Sequence, residues 1–276
     1  MQKYLIYGLA TAGVLAVFSS NESLAGEIGP TASIEQSSAL LLIAPPDDDQ
    51  MVRGAIKLTL SDGFKTYWHV PGDGGLPPLI EIDGQPIEVR LPAPTRYIDQ
   101  YGEALGYKDE VAITFEVPKP QSDLVELDML VGVCADICIP FIAKLKAPVP
   151  ADMMPRTRFA LDDAFDALPL SFDADLGVNS VRAFSGASGD NGGEIGLTAG
   201  LSLPADIDLD EVDLFVRLPG PDEFFPRAAT IVRVPGGAEA VVKITTDLTL
   251  DELTNKRATF TLVSGDRSVE GDLLLH

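Results

Sequence analysis

Val111-Ala-Ile-Thr-Phe-Glu-Val117 alternates apolar and other residues, which sets Val111, Ile113, Phe115 and Val117 on one face of an extended strand. Upstream, Met51-Val-Arg-Gly-Ala-Ile-Lys-Leu-Thr-Leu60 ends in the same pattern, with Ile56, Leu58 and Leu60 on one face. Downstream, Leu124-Val-Glu-Leu-Asp-Met-Leu-Val131 is also extended in character. Turn-rich stretches separate these runs: Pro71-Gly-Asp-Gly-Gly-Leu-Pro-Pro78, Asp83-Gly84 and Pro92-Ala-Pro94. Short strands with frequent turns predict an all-β fold, an antiparallel β-sandwich. Trp68, the single tryptophan, falls in an apolar, aromatic strand and is expected in its core.

Pro148-Val-Pro-Ala-Asp-Met-Met-Pro155 reads as a linker. A short helix is expected after it, over Arg158 to Ala167, starting near Thr157 and stopping before Pro169. A second strand series follows: Glu194–Leu203, Val212–Leu218, Ala228–Val234, Ala240–Thr246, Ala258–Val263 and Ser268–Leu275. Gly186–Gly193 reads as a flexible loop. The second half is therefore expected to be a second, smaller β-sandwich. The domain boundaries expected are 1–25 for an export signal, 26–148 for the first sandwich, 149–157 for the linker and 158–276 for the second sandwich.

The export signal rests on Lys3 as a short positive region and Tyr4 to Phe18 as an apolar stretch. Ser23-Leu24-Ala25 then supplies small residues for cleavage before Gly26. No later window approaches the roughly 20 apolar residues of a spanning helix. The mature chain, about 250 residues, suits two domains of ordinary size. It is expected to be soluble and periplasmic, with no stable membrane insertion. The 42 Asp and Glu against 20 Lys and Arg give a formal charge of −22. Such a surface repels phosphate backbones and anionic headgroups, which argues against nucleic-acid and membrane-surface binding. Solvated surface is the plainer reading of Asp47-Asp-Asp49 and Asp206–Asp213, which lack the glycine and spacing of a calcium loop. With only His69 and His276 available, no Ser–His–Asp constellation is inferable. Gly72, Gly74 and Gly75 lack the strand–helix context of a phosphate loop and read as a permissive turn.

The only two cysteines, Cys134 and Cys138, lie in Val131-Gly-Val-Cys-Ala-Asp-Ile-Cys-Ile-Pro140. Closing so short a loop removes little chain entropy, roughly 2 kcal/mol against about 3 for fifteen residues. Reversible chemistry, by thiol–disulfide exchange or metal binding, explains the pair better than a staple does, and an exported chain meets oxidising conditions. Residues four apart on a straight strand are about 13 Å apart, beyond disulfide reach. An oxidised pair thus requires either a turn at Ala135-Asp136-Ile137 or one helical turn. Asp136 suits a turn, and Pro140 forces an extended exit. A tight disulfide on a protruding turn is of the labile kind. No Lys, Arg or His adjoins the cysteines in sequence, and Asp136 would raise a neighbouring thiol's pKa. That favours a passive electron carrier over an aggressive oxidant.

Residues from about 50 to 150 resemble the N-terminal periplasmic domain of the DsbD/ScsB thiol:disulfide interchange proteins. The matching pieces are Val-Cys-x-x-x-Cys-Ile-Pro at 133–140, Lys65-Thr-Tyr-Trp68, Pro71-Gly-Asp-Gly-Gly-Leu-Pro77, Pro92-Ala-Pro-Thr-Arg96 and Gly106-Tyr107-Lys108. The resemblance implies an immunoglobulin-like sandwich with the cysteine pair on one edge and no bound cofactor. It implies that Cys138 is the sulfur attacked in exchange and Cys134 its resolving partner. It places a cap loop at Asp99-Gln-Tyr-Gly102, with Tyr101 as the cap residue and Asp136 and Pro140 beside the site. It further implies a protein-disulfide reductase that takes electrons from a membrane partner and passes them to exported disulfide proteins. Full-length members carry membrane and thioredoxin-like domains not seen in this sequence, so either a separate membrane electron donor is expected or the protein has left the relay and uses the domain otherwise. Two alternatives stay open. A Cu(I)-binding protein would use the two thiolates, with Met129, Met153 or Met154 as thioethers. The run is similar to that of Sco-type copper chaperones but lacks Pro directly after each cysteine. A non-catalytic β-sandwich interaction module would keep the disulfide inert.

Overall fold

The computed structural model describes residues 29–100, 102–185, 195–218, 220 and 224–276. The stretch expected as an export signal, Tyr101 and the whole of the Gly186–Gly193 loop lie outside the described residues. The fold is all-β and of the immunoglobulin-like sandwich type, with a second sandwich following the first.

Among the described residues eleven strands build the N-terminal half: β1 (Thr31–Ile34), β2 (Ser37–Ile43), β3 (Met51–Leu60), β4 (Lys65–Gly72), β5 (Leu79–Ile82), β6 (Gln85–Pro86), β7 (Thr95–Asp99), β8 (Gly102–Lys108), β9 (Glu110–Pro118), β10 (Leu124–Cys134) and β11 (Cys138–Pro148). One sheet has the order β1-β2-β3-β9; the other runs β6-β5-β10-β4-β8-β7, with β11 also paired to β10. Period-two patterning decides what faces inward. Val111, Ile113, Phe115 and Val117 of β9 meet Ile56, Leu58 and Leu60 of β3 and Phe141, Ala143 and Leu145 of β11 in one core. Trp68 lies in it, 1% exposed. Asp83 and Gly84 join β5 to β6 with φ of 52° and 71°, the two-residue hairpin geometry that an Asp-Gly pair favours.

Nine strands follow among the described residues: β12 (Leu170–Ser171), β13 (Gly177–Ser185), β14 (Ile195–Ser202), β15 (Val212–Arg217), β16 (Phe224–Pro226), β17 (Thr230–Val234), β18 (Gly237–Thr246), β19 (Arg257–Ser264) and β20 (Arg267–Leu274). They form the sheets β12-β20-β19-β15 and β13-β14-β18-β16, with β17 added to β18. Leu197, Leu214, Val242 and Phe260 centre the core between them.

The one sizeable helix among the described residues, α1 (Pro155–Asp166), begins three residues before the start expected at Arg158. Proline costs a helix nothing at its first position, because that N–H has no intrahelical partner. Pro155 therefore opens α1 from an extended Met154 instead of closing a linker. Leu161 and Ala164 of α1 pack on Leu42, Ala44 and Ala55, and Arg53 stacks over Phe165 at 3.8 Å.

The two halves touch through side chains of both. Phe215 of β15 belongs to the N-terminal core and meets the Trp68 ring edge-on, 5.9 Å between centroids. Phe225 and Val263 pack on the same core.

Candidate functional site

Strands β10 and β11 form a hairpin whose register runs without a break from Leu124↔Pro148 to Cys134↔Cys138. The cysteines are its last pair, and Ala135, Asp136 and Ile137 make the turn between them, closed by an Ala135 N–H to Ile137 carbonyl bond of 3.3 Å. Of the two geometries open to an oxidised pair, the chain adopts the turn. The residues opposite each other at a hairpin's end stand within disulfide reach, and Cys134 and Cys138 are bonded with Cα atoms 4.0 Å apart. Pro140 sits opposite Gly132 on β11, which has β10 as its only strand partner among the described residues. Proline is tolerated on such an edge, where a ladder hydrogen bond need not be lost.

The two sulfurs have different surroundings. Cys134 is 1% exposed and packs in a small cluster with Tyr67, Ala104 and Tyr97. Cys138 is exposed, as are Asp136 and Pro140 on either side of it. Ile137, between them, is 77% exposed.

A cleft of about 310 Å³ opens beside Cys138, lined among others by Asp136, Tyr67, Lys65, Gly75 and Glu103. Strand β4 delivers two of these. Trp68 points into the core, so the alternation turns Tyr67 to the opposite face, where its hydroxyl stands 3.6 Å from Cys138 Sγ. A disulfide sulfur carries no proton, so the hydroxyl is the donor. Lys65 pairs with Cys134 across β4 and β10, bringing a cation to cysteines that have none beside them in sequence. The Gly74 carbonyl oxygen lies 3.9 Å from Cys138 Sγ, placed to accept a thiol proton once the disulfide opens.

The glycine-rich loop after β4 is a wall of this cleft. Gly72 has φ of +90°, a backbone region open chiefly to glycine. A Cβ on Gly75 would lie 2.4 Å from the Tyr67 ring. The loop thus packs on Tyr67 because side chains are missing there.

His69 is half-buried beside Trp68, with ring centroids 5.5 Å apart. Burial, and secondarily the Arg217 charge, lower its pKa from 6.5 to about 3. It stays neutral, and it does not line the cysteines' cleft. Met129 is 2% exposed in the sandwich core, about 16 Å along its strand from Cys134, and Met153 packs against the α1 cluster. Among the described residues no group of three or more His, Cys, Asp or Glu could hold a metal ion. Among them, too, no helix is long and apolar enough to cross a membrane.

In the sequence Lys65 and Tyr67 stand out only as part of a matching motif and Gly74 only as part of a permissive turn, none with a role beside the cysteines, and Glu103 does not stand out at all. The parity of Tyr67 against Trp68 was the one local signal available.

Fold and site together define an immunoglobulin-like sandwich with an asymmetric hairpin disulfide, one sulfur shielded and one open to a cleft. Residues 34–150 match the family described as thiol:disulfide interchange protein DsbD, N-terminal, and this part of the chain is similar to that domain. Among solved structures, the N-terminal periplasmic domain of ScsB from Proteus mirabilis is similar, with a TM-score of 0.66 and 17% identity. The match covers 88% of this chain and 94% of that one. At this identity the likeness is one of fold, and it extends over both sandwiches. No curated protein sequence matches the chain.

Proposed function

We propose that this chain is a periplasmic thiol–disulfide exchange protein. It carries reducing equivalents through Cys134 and Cys138 from a membrane electron donor to disulfide-bonded client proteins. One observation carries the reading: Cys138 is exposed at a cleft while Cys134 is 1% exposed beneath it. Exchange requires a thiolate to reach one sulfur and expel the other, and here only Cys138 is reachable.

In the receiving step a donor thiolate attacks Cys138 Sγ, and Cys134 leaves as a thiolate. The donor's second thiol then displaces Cys138 from the mixed disulfide, so the donor is oxidised and the pair is reduced by two electrons. In the delivering step the Cys138 thiolate attacks the client disulfide, and Cys134 resolves the mixed disulfide and restores the Cys134–Cys138 bond. The Tyr67 hydroxyl is placed to stabilise the Cys138 thiolate in both steps. Residues 26–148 are the redox domain in this reading, with 158–276 as a second domain, and Asp136 and Pro140 shape the turn that presents Cys138.

The test is trapping. Cys134→Ser is expected to accumulate mixed disulfides with periplasmic proteins through Cys138, and Cys138→Ser to form none and to lose exchange. A Cys134→Ser protein that captures nothing under mild oxidation, or equal capture by both variants, would overturn the assignment of roles.

A further inference from the structure

We propose that the C-terminal sandwich is a positioning element of the redox cleft, with Arg227 and Asp213 anchoring the cleft wall beside Cys138. The consequence for reactivity rests on the exchange reading above; the geometry does not.

Asp73 begins the first anchor. It follows Gly72 at the end of β4, and its N–H donates to the Glu103 carbonyl at 2.8 Å. Its carboxylate in turn accepts the Glu103 N–H at 2.8 Å. This double tie joins the glycine loop to strand β8. Arg227, just past β16 in the other sandwich, donates through Nη1 to the same carboxylate, 2.8 Å from Oδ2 and 2.7 Å from Oδ1. Gly74, whose carbonyl stands over Cys138 Sγ, is the next residue after Asp73.

The second anchor is Arg96 of β7. Its Nε and Nη2 donate to the two carboxylate oxygens of Asp213 at 2.9 and 3.0 Å, a bidentate pair across the two sandwiches. Its Nη1 donates to the Glu103 carboxylate. Glu103, which lines the cleft, is thus tied at its backbone through Asp73 and at its side chain through Arg96. Each of those two residues is held from the C-terminal half. The Arg96 and Glu103 side chains are 10% and 13% exposed, and shielding of this kind strengthens an ion pair relative to a surface one. The same half packs Phe215 and Phe225 on the N-terminal core, so its anchors sit on a fixed base.

If the anchors hold the wall over Cys138, releasing one opens the sulfur to attack. Arg227→Ala is the informative variant, because the Arg227–Asp73 pair is partly exposed, at 37% and 31%, and its loss leaves both cores intact. Arg227→Lys is the conservative control. Two readouts are taken on the full chain. The first is amide hydrogen exchange at Asp73 and Glu103. The second is the rate at which dithiothreitol reduces the disulfide, its first thiolate displacing Cys134 from Cys138 and its second releasing Cys138 as the reagent is oxidised. The expected result for Arg227→Ala is about fivefold faster exchange at both amides and a several-fold faster reduction, with Arg227→Lys close to wild type in both. Unchanged amide exchange in Arg227→Ala would overturn the anchoring. Faster amide exchange without faster reduction would overturn its bearing on the cleft. If dithiothreitol fails to reduce the wild-type disulfide, the exchange reading fails, and the amide measurement alone decides whether the anchor exists.

Discussion

The Tyr67 hydroxyl stands 3.6 Å from Cys138 Sγ, joining residues 71 positions apart in the chain. The ring is 5% exposed and fixed between Gly75 and the Cys134 cluster. Its hydroxyl is therefore a preset donor to whatever charge the sulfur acquires. A net hydrogen bond of about 1 kcal/mol corresponds to roughly a fivefold effect. Tyr67→Phe keeps the ring and is expected to slow exchange up to about fivefold at neutral pH and to move the pH dependence of Cys138 alkylation upward. The check is the pH profile of thiol alkylation in the reduced protein. Superimposable profiles for wild type and Tyr67→Phe would remove the tyrosine from the mechanism.

His69 makes acid stability readable. Its pKa is lowered by burial and by Arg217 to about 3 in the folded chain, from 6.5. The unfolded chain therefore binds a proton between those values that the folded chain refuses. The native state is favoured above pH 6.5 and loses that advantage progressively as pH falls towards 3. Between pH 7.5 and pH 5, before carboxylates take over, the loss is about 2 kcal/mol. Denaturant unfolding at the two pH values should show this slope in wild type and a much smaller one in His69→Gln. Equal slopes would mean that His69 is hydrated in the folded protein.

Arg96 serves two carboxylates, Glu103 and Asp213, and lies 4.9 Å over the Phe215 ring. Removing it leaves the Glu103 and Asp213 carboxylates without their shared cation. Arg96→Ala is expected to destabilise the protein by about 3 kcal/mol. Asp213→Asn should cost less, since Arg96 retains Glu103. Thermal or denaturant unfolding orders the two, and a cost below about 1 kcal/mol for Arg96→Ala would place the cluster with ordinary surface pairs.

What the sequence disclosed follows the range of the interactions. The strand at Val111–Val117 was legible because one face of it is buried, and alternation records burial directly. The turn at Ala135–Ile137 was one of two stated options, narrowed by the reach of a disulfide. The start of α1 was missed by three residues because proline has opposite meanings in a linker and at a helix's first position. Lys65 and Tyr67 reach the cysteines only through strand pairing over some seventy residues. Arg96 and Asp213 meet over 117 positions, with no local pattern to announce them.

The central claim is that the Cys134–Cys138 bond is a working redox couple, and its reduction potential tests this most directly. Equilibrated against glutathione or dithiothreitol buffers, the protein is predicted to give a value between roughly −180 and −270 mV, the span of known exchange proteins. A value below about −300 mV, where structural disulfides lie, would contradict the claim and make the pair an inert staple at the end of its hairpin.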